Sequence, residues 1–233
     1  MSRPQPQAQT QPRRHVRVLV VDDDPLVRAA LTMILKGAPD LEIVGEAGDG
    51  LEAIEVCQAL RPDVVLMDIR MPRLDGLEAT RRLVAAEAPP KVIVLTTFDA
   101  DEYVARALVG GASGFLLKDT PPATIVDAVH KVADGDPMLS PSVTAQLIDR
   151  LRSSESEPSD QRSGNARELV ERLSEREREV AQCVGKGQSN ADIAAELYMS
   201  VATVKAHVSR VLTKLEATNR VQIAIRMHDA DLT

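Results

Sequence analysis

Tryptophan is absent from this 233-residue chain, and only two Tyr and two Phe are present. Binding that works by stacking successive bases on aromatic rings is therefore not its main business. Cysteine is equally scarce. Cys57 and Cys183 are far apart, lack metal-ligand spacing and fall in helical patterns, which points to core thiols in a reducing compartment. Long apolar runs are missing too. No stretch approaches the roughly 18 apolar residues that span a bilayer, so no membrane partner is expected. The first fifteen residues are rich in Pro and Gln without the apolar centre of a signal peptide, and a disordered tail on a cytoplasmic protein is the expectation.

What is present reads as soluble and globular: 44% apolar and 27% charged residues, in a length that suits one large or two ordinary domains. The formal charge of −7 is unevenly shared. Val16–Leu151 holds 13 Lys/Arg against 22 Asp/Glu, whereas Asn165–Thr233 holds 10 of each. Within the latter, Val201–Met227 carries Lys205, Arg210, Lys214, Arg220 and Arg226 against Glu216 alone. An acidic half and a locally basic segment suggest two jobs on one chain.

Apolar runs and amphipathic stretches alternate through the first half. Val16–Val21, Leu41–Ala47, Asp63–Met67, Lys91–Thr96 and Gly114–Leu117 read as strands; Pro25–Lys36, Gly50–Leu60, Gly76–Glu87, Asp101–Val109 and Pro122–Ala133 read as helices. Five strand–helix units predict an α/β fold with a doubly wound, five-stranded parallel sheet. Right-handed crossovers bring every strand's carboxyl end to one edge, where such sheets bind ligands. Ser140–Leu151 reads as one more helix, and the polar run Arg152–Asn165, "RSSESEPSDQRSGN", as a mobile linker. Beyond it the period is helical throughout. The division is thus a tail over residues 1–15, an α/β domain over 16–135, a connecting helix and linker over 136–168, and a small all-α domain over 169–233.

The predicted sheet edge gathers chemistry. Asp22, Asp23 and Asp24 follow the first strand, Asp68 the third, Thr96 ends the fourth, and Lys118 follows the fifth. Crowded carboxylates repel and raise one another's pKa, and a hard divalent cation relieves that. Mg²⁺ prefers such oxygen ligands and often completes its shell with phosphate. Lys118 offers a positive charge to an incoming anion and Thr96 a hydroxyl. Such a site can accept a phosphoryl group on an aspartate.

Over Val16–Ala133, "VVDDDP", "VLMDIRMPRLDG", "VLTTF" and "GFLLKD" resemble, in order, the motifs of the receiver domain of two-component response regulators. The resemblance implies Asp68 as phosphoacceptor, and Mg²⁺ held by Asp23, Asp68 and the Arg70 backbone carbonyl, with Asp22 acting through water. It further implies Thr96 and Phe115 as switch residues and Lys118 as the phosphate-binding lysine; Asp24 is left as a helix-start bystander. Many receivers carry Pro after the lysine; Asp119 stands here, as in the NarL/FixJ subgroup.

In the last third, Ser174 with Glu177 forms a capping-box pattern, Gly185 and Gly187 stop that helix, Ser189 or Asn190 starts a short second one, and Ser200 caps a third. Val204, Val208, Val211, Leu212 and Leu215 share one side of the third helix; Thr203, Lys205, Ala206, Ser209 and Arg210 fall largely on the other. This is a helix-turn-helix order whose third helix would enter the major groove. Leu173–Ile225 resembles the LuxR-type domain of NarL/FixJ-type regulators through "LSEREREV", "SNADIAAEL" and "VATVKAHVSRVLTKL". That resemblance implies those five residues as DNA-facing, with Lys205 foremost, and Val221–Met227 as a helix for dimerisation on DNA. The combined expectation is a non-enzymatic regulator that a sensor histidine kinase phosphorylates, and that then binds promoter double-stranded DNA as a homodimer. Two alternatives stand beside it: a phosphorylation-independent transcription factor with a vestigial receiver, and an aspartate-nucleophile phosphatase, whose DxDx[TV] loop "DDDPL" fails to match at its last position.

Overall fold

The computed structural model describes residues 15–97, 101–136, 138–139, 160–230 and 232. The helix expected over Ser140–Leu151 and residues 1–14 of the expected tail lie outside the described residues. Strands β1 (Val16–Val21), β2 (Leu41–Ala47), β3 (Val64–Asp68), β4 (Lys91–Thr96) and β5 (Gly114–Leu117) pair in parallel in the order β2-β1-β3-β4-β5. Side chains alternate across the sheet. Val18, Val20, Leu66 and Leu95 pack under α1 (Pro25–Lys36) and α5 (Pro122–Ala133), through Leu31, Leu35 and Val129. Leu19, Val21, Met67 and Val94 pack under α2 (Gly50–Leu60), α3 (Gly76–Val84) and α4 (Asp101–Val109), through Ala53, Leu77 and Leu108. Burial on both faces is why these strands read as nearly unbroken apolar runs. Each fully buried Val or Leu contributes about 1.5–3 kcal/mol.

Several details differ from the sequence reading: α3 ends at Val84 and not at Glu87, β3 begins at Val64 and not at Asp63, and three further differences have a plain physical cause. β3 runs one residue further, because Asp68 keeps its sheet register opposite Leu95; a strand-final Asp reads as loop because its side chain does not fit an apolar pattern. The sheet has a sixth strand, β6 (Met138–Leu139), paired with Gly114 and Phe115 on the open edge of β5. The segment read as linker turns helical at its end: α6 (Asp160–Glu171) starts inside it, and Ala166, Leu169 and Val170 are buried at helical spacing in the second core.

That second core joins α6 to α7 (Glu175–Gly185), α8 (Asn190–Glu196), α9 (Val201–Lys214) and α10 (Arg220–Asp229). Val180, Val184, Ile193, Val204, Val211 and Leu215 fill its centre. Reciprocal capping boxes at Ser174/Glu177 and Ser189/Asp192 fix the starts of α7 and α8, and Ser200 caps α9. No helix among the described residues is long and apolar enough to cross a membrane.

Two positions tie this framework to measurable consequences. Gly76 opens α3 with its N–H donated to the Ile69 carbonyl at 2.9 Å, and a Cβ there would stand 1.8 Å from the Asp68 carbonyl oxygen. Gly76→Ala therefore has to displace the backbone at Asp68. The expected cost is about 1–3 kcal/mol, read as a lower urea midpoint for the N-terminal domain. In the second domain, Glu177 accepts from Lys214 Nζ at 2.7 Å and from Ser174 N–H at 2.9 Å. The Lys214 hydrogen bond is the largest cause that draws its carboxyl from an ordinary 4.5 down to about 2. A lowered folded pKa stabilises above the unfolded value, and the gain is lost as pH falls from about 4.5 to about 2. Lys214→Met is thus expected to lower the urea midpoint of this domain most at neutral pH, where the gain is fully present, and the difference from wild type is expected to shrink as pH falls from about 4.5 to about 2.

Candidate functional site

The acidic residues meet where the sheet topology sends them. Asp22 follows β1 and is wholly buried, Asp68 ends β3 and is almost so, and Asp23 is exposed between them and solvent. One carboxylate oxygen of each lies within 4.8 Å of the others. Lys118, one residue beyond β5, reaches both buried members: Nζ stands 2.6 Å from Asp22 Oδ2 and 3.0 Å from Asp68 Oδ1. Its backbone N–H donates to the Thr96 carbonyl at 2.8 Å, locking the end of β4 to the same corner. Burial raises the Asp68 pKa above the ordinary value and the charge of Asp22 adds to this, against the opposing pull of Lys118. For Lys118, burial works to lower the pKa, but its hydrogen bonds to Asp22 and Asp68 prevail and hold it above the usual lysine value. Three carboxylates with one open side form a hard, all-oxygen donor set of the kind that suits Mg²⁺.

Other residues expected here take distinct places. Asp24 is exposed and caps α1, accepting from Leu26 N–H at 2.8 Å, and its own N–H donates to Asp22 Oδ1 at 3.0 Å. The Arg70 guanidinium lies over the Tyr103 ring, 5.8 Å from its centre, so that the side chain turns to α4. Phe115 is fully buried in the core beneath α3 and α4.

On α9, Thr203, Ala206, Ser209 and Arg210 are exposed. The Thr203 hydroxyl lies 2.8 Å from that of the capping Ser200. Lys205 is half-buried, and its ammonium pairs across the domains: Nζ lies 2.8 Å from Asp134 Oδ1, at the end of α5.

Residues 18–130 match the family model described as response regulator receiver domain, and residues 171–227 match bacterial regulatory proteins, luxR family. The transcriptional regulatory protein LiaR of Bacillus subtilis is 37% identical over 213 residues, covering 91% of this chain and 97% of that one. The response regulator VraR of Staphylococcus aureus is 38% identical over 210 residues, 90% and 95% of the two chains. Among solved structures, the response regulator ChrA of a heme-sensing two-component system is 36% identical with a TM-score of 0.50, over 94% of this chain and 98% of that one. The chain is a response regulator. It belongs to the NarL/FixJ type, a receiver followed by a LuxR-type DNA-binding domain, and its function is transcriptional regulation within a two-component system.

The regulator's two domains are joined by polar contacts that no motif foretold. Asn219 donates through Nδ2 to the carbonyls of Leu108 at 2.9 Å and Ala112 at 2.6 Å, while its Oδ1 accepts Gln222 N–H and caps α10. Gln222 Nε2 donates to the Val109 carbonyl at 2.7 Å. Asp136 accepts from Asn190 N–H at 3.3 Å and stands 3.6 Å from Arg220 Nη1. Val221 and Ile225 add apolar contact by packing against the receiver core. The end of α4 and the turn after it thus supply backbone acceptors, and the turn after α5 supplies carboxylates. Sequence reasoning passed over Asp134, Asp136, Asn219 and Gln222 because a side chain that meets a distant carbonyl leaves no spacing signal.

Asn219→Asp separates these roles. The carboxylate still caps α10 but cannot donate, and it faces two carbonyl oxygens. The expected result is a larger radius of gyration by small-angle scattering, with the helical dichroism of both domains retained. An unchanged radius would show that the domains do not depend on this amide.

Proposed function

We propose that Asp68 accepts a phosphoryl group from a sensor histidine kinase, and that this converts the regulator into a promoter-binding dimer. The observation that carries the reading is the Lys118 ammonium set 2.6 Å and 3.0 Å from Asp22 and Asp68 inside a carboxylate cluster. An Asp68 oxygen attacks the phosphorus, an acyl phosphate forms, and the bond to the kinase histidine nitrogen breaks. Asp22, Asp23, Asp68 and the Arg70 carbonyl are the groups to hold Mg²⁺, which when bound neutralises charge on the transferred group. Lys118 pairs with the phosphoryl oxygens in place of the Asp68 oxygen it now contacts, and the Thr96 hydroxyl hydrogen-bonds to them. The acyl phosphate is the output, not a turnover product, so the protein is no enzyme. Phosphorylation acts by favouring one receiver conformation, with Thr96 and Phe115 as the parts that repack.

For DNA, α9 is the helix to enter the major groove, through Thr203, Lys205, Ala206, Ser209 and Arg210. Lys205 is paired with Asp134, and in this reading the arrangement is the resting one and groove binding exchanges that carboxylate for DNA phosphate. The docked start of α10 is the helix proposed to pair two copies on DNA. Such a protein works beside the chromosome, in the cytoplasm.

The test uses full-length protein, acetyl phosphate and Mg²⁺, with mobility shifts on the gene's own upstream DNA. Wild type is expected to take one acid-labile phosphoryl group and to bind at least tenfold more tightly once labelled, about 1.4 kcal/mol; Asp68→Asn is expected to do neither. Label retained on Asp68→Asn would move the acceptor elsewhere. Equal binding by labelled and unlabelled wild type would favour a phosphorylation-independent factor.

A further inference from the structure

A cavity of about 220 Å³ lies where the two domains meet. The receiver contributes Lys91, the first residue of β4, and Val132 of α5; the DNA-binding domain contributes Val208 and Leu212 of α9 and Val221 of α10. An apolar cavity of about 150 Å³ is enough to hold benzene. This one has room for a ring and a small head group.

Its charges define that head group. Five ionisable side chains line the cavity: Lys91, Lys205, Arg220, Asp134 and Asp136. Lys205 pairs with Asp134 at 2.8 Å and Arg220 faces Asp136 at 3.6 Å. Lys91 is the odd charge. Among the described residues no carboxylate pairs with it, and burial pushes its pKa below the ordinary lysine value. A part-buried ammonium without a counter-ion is costly, and the complement of one unmatched cation beside valine and leucine is one negative charge on a compact apolar body.

We propose that the interdomain cavity is a binding site for a small aromatic monocarboxylate, its carboxylate paired with Lys91 and its ring against Val132, Val208, Leu212 and Val221. The walls come from both domains, so the site is complete only while they are docked. A ligand that binds only the docked form stabilises it by mass action and opposes every process that needs it open. Because α9 supplies part of the wall, the ligand lowers affinity for DNA, whatever the phosphorylation state of Asp68. This last consequence rests on the function proposed above; the binding itself does not.

The probe is 4-fluorobenzoate, followed by ¹⁹F resonance on the full-length protein, with neutral 4-fluorobenzyl alcohol as its partner. Wild type is expected to bind the carboxylate saturably, and the alcohol at least tenfold more weakly. Lys91→Met is expected to weaken carboxylate binding at least tenfold and Lys91→Arg to restore much of it, with acetyl-phosphate labelling of Asp68 unchanged in both as the check that the receiver is folded. Ala133→Leu, which fills the cavity while keeping Lys91, is expected to abolish binding. In a mobility shift, saturating 4-fluorobenzoate is expected to raise the apparent Kd for DNA several-fold in wild type and not in Lys91→Met. The proposal is overturned by absence of saturable binding, or by equal binding of the alcohol or by Lys91→Met. Saturable binding with unaltered DNA affinity would overturn the coupling. Failure of Asp68 to take a phosphoryl group would overturn the functional reading alone, because the resonance measurement is made without phosphorylation.

Discussion

Asp22 and Asp68 end neighbouring strands with their carboxyl groups almost wholly withdrawn from water, and two such groups side by side cannot both stay charged unaided. Lys118 answers both with a single ammonium. It can do so only because three parallel strands deliver their ends to one edge, and because its own N–H is bonded to the Thr96 carbonyl. The corner is therefore a balance of charge with no slack. Any anion that arrives has to draw Lys118 away from a carboxylate, and any cation has to share that carboxylate with it. Such a balance converts the addition of one charged group at Asp68 into movement of neighbouring side chains. Gly76 belongs to the same mechanism, since the absence of its side chain lets α3 start against the Asp68 carbonyl.

At the opposite edge of the receiver the chemistry is reversed. There the acidic partners are Asp134 and Asp136, and the cations, Lys205 and Arg220, come from the other domain. β4 joins the two regions, with Thr96 at one end and Lys91 at the other. Its interior residues are all buried and registered with β3, and from Ile93 onward with β5, so the strand is a stiff element between the carboxylate corner and the domain junction.

Much of this was legible in the chain. Parallel strands buried on both faces write themselves as continuous apolar runs, and Asp22, Asp23, Asp68 and Lys118 stand at strand ends, so order and position together foretold that they would cluster. The failures have physical causes. β6 is too short to show a pattern. Polarity at residues 160–165 hid a helix that goes on to bury Ala166, Leu169 and Val170. Helix phase and the LuxR-type resemblance give the side of α9 that Lys205 occupies but not that a receiver carboxylate stands there. The docking of the domains was not legible at all: Asn219 meets a carbonyl 111 residues away, and nothing local records such a bond.

Asn219 also carries a lesson about how such a regulator can vary. The same amide starts α10 and holds that helix against the receiver. Replacements that keep the cap are few, and of these only a side chain with both an acceptor and two donors keeps the docking. A lineage that needs a looser or firmer closed state cannot adjust it here without disturbing the fold of the DNA-binding domain. Tuning is left to the carboxylates after α5: Asp134 closes that helix through its backbone N–H alone, so its side chain, like that of Asp136, is free to change.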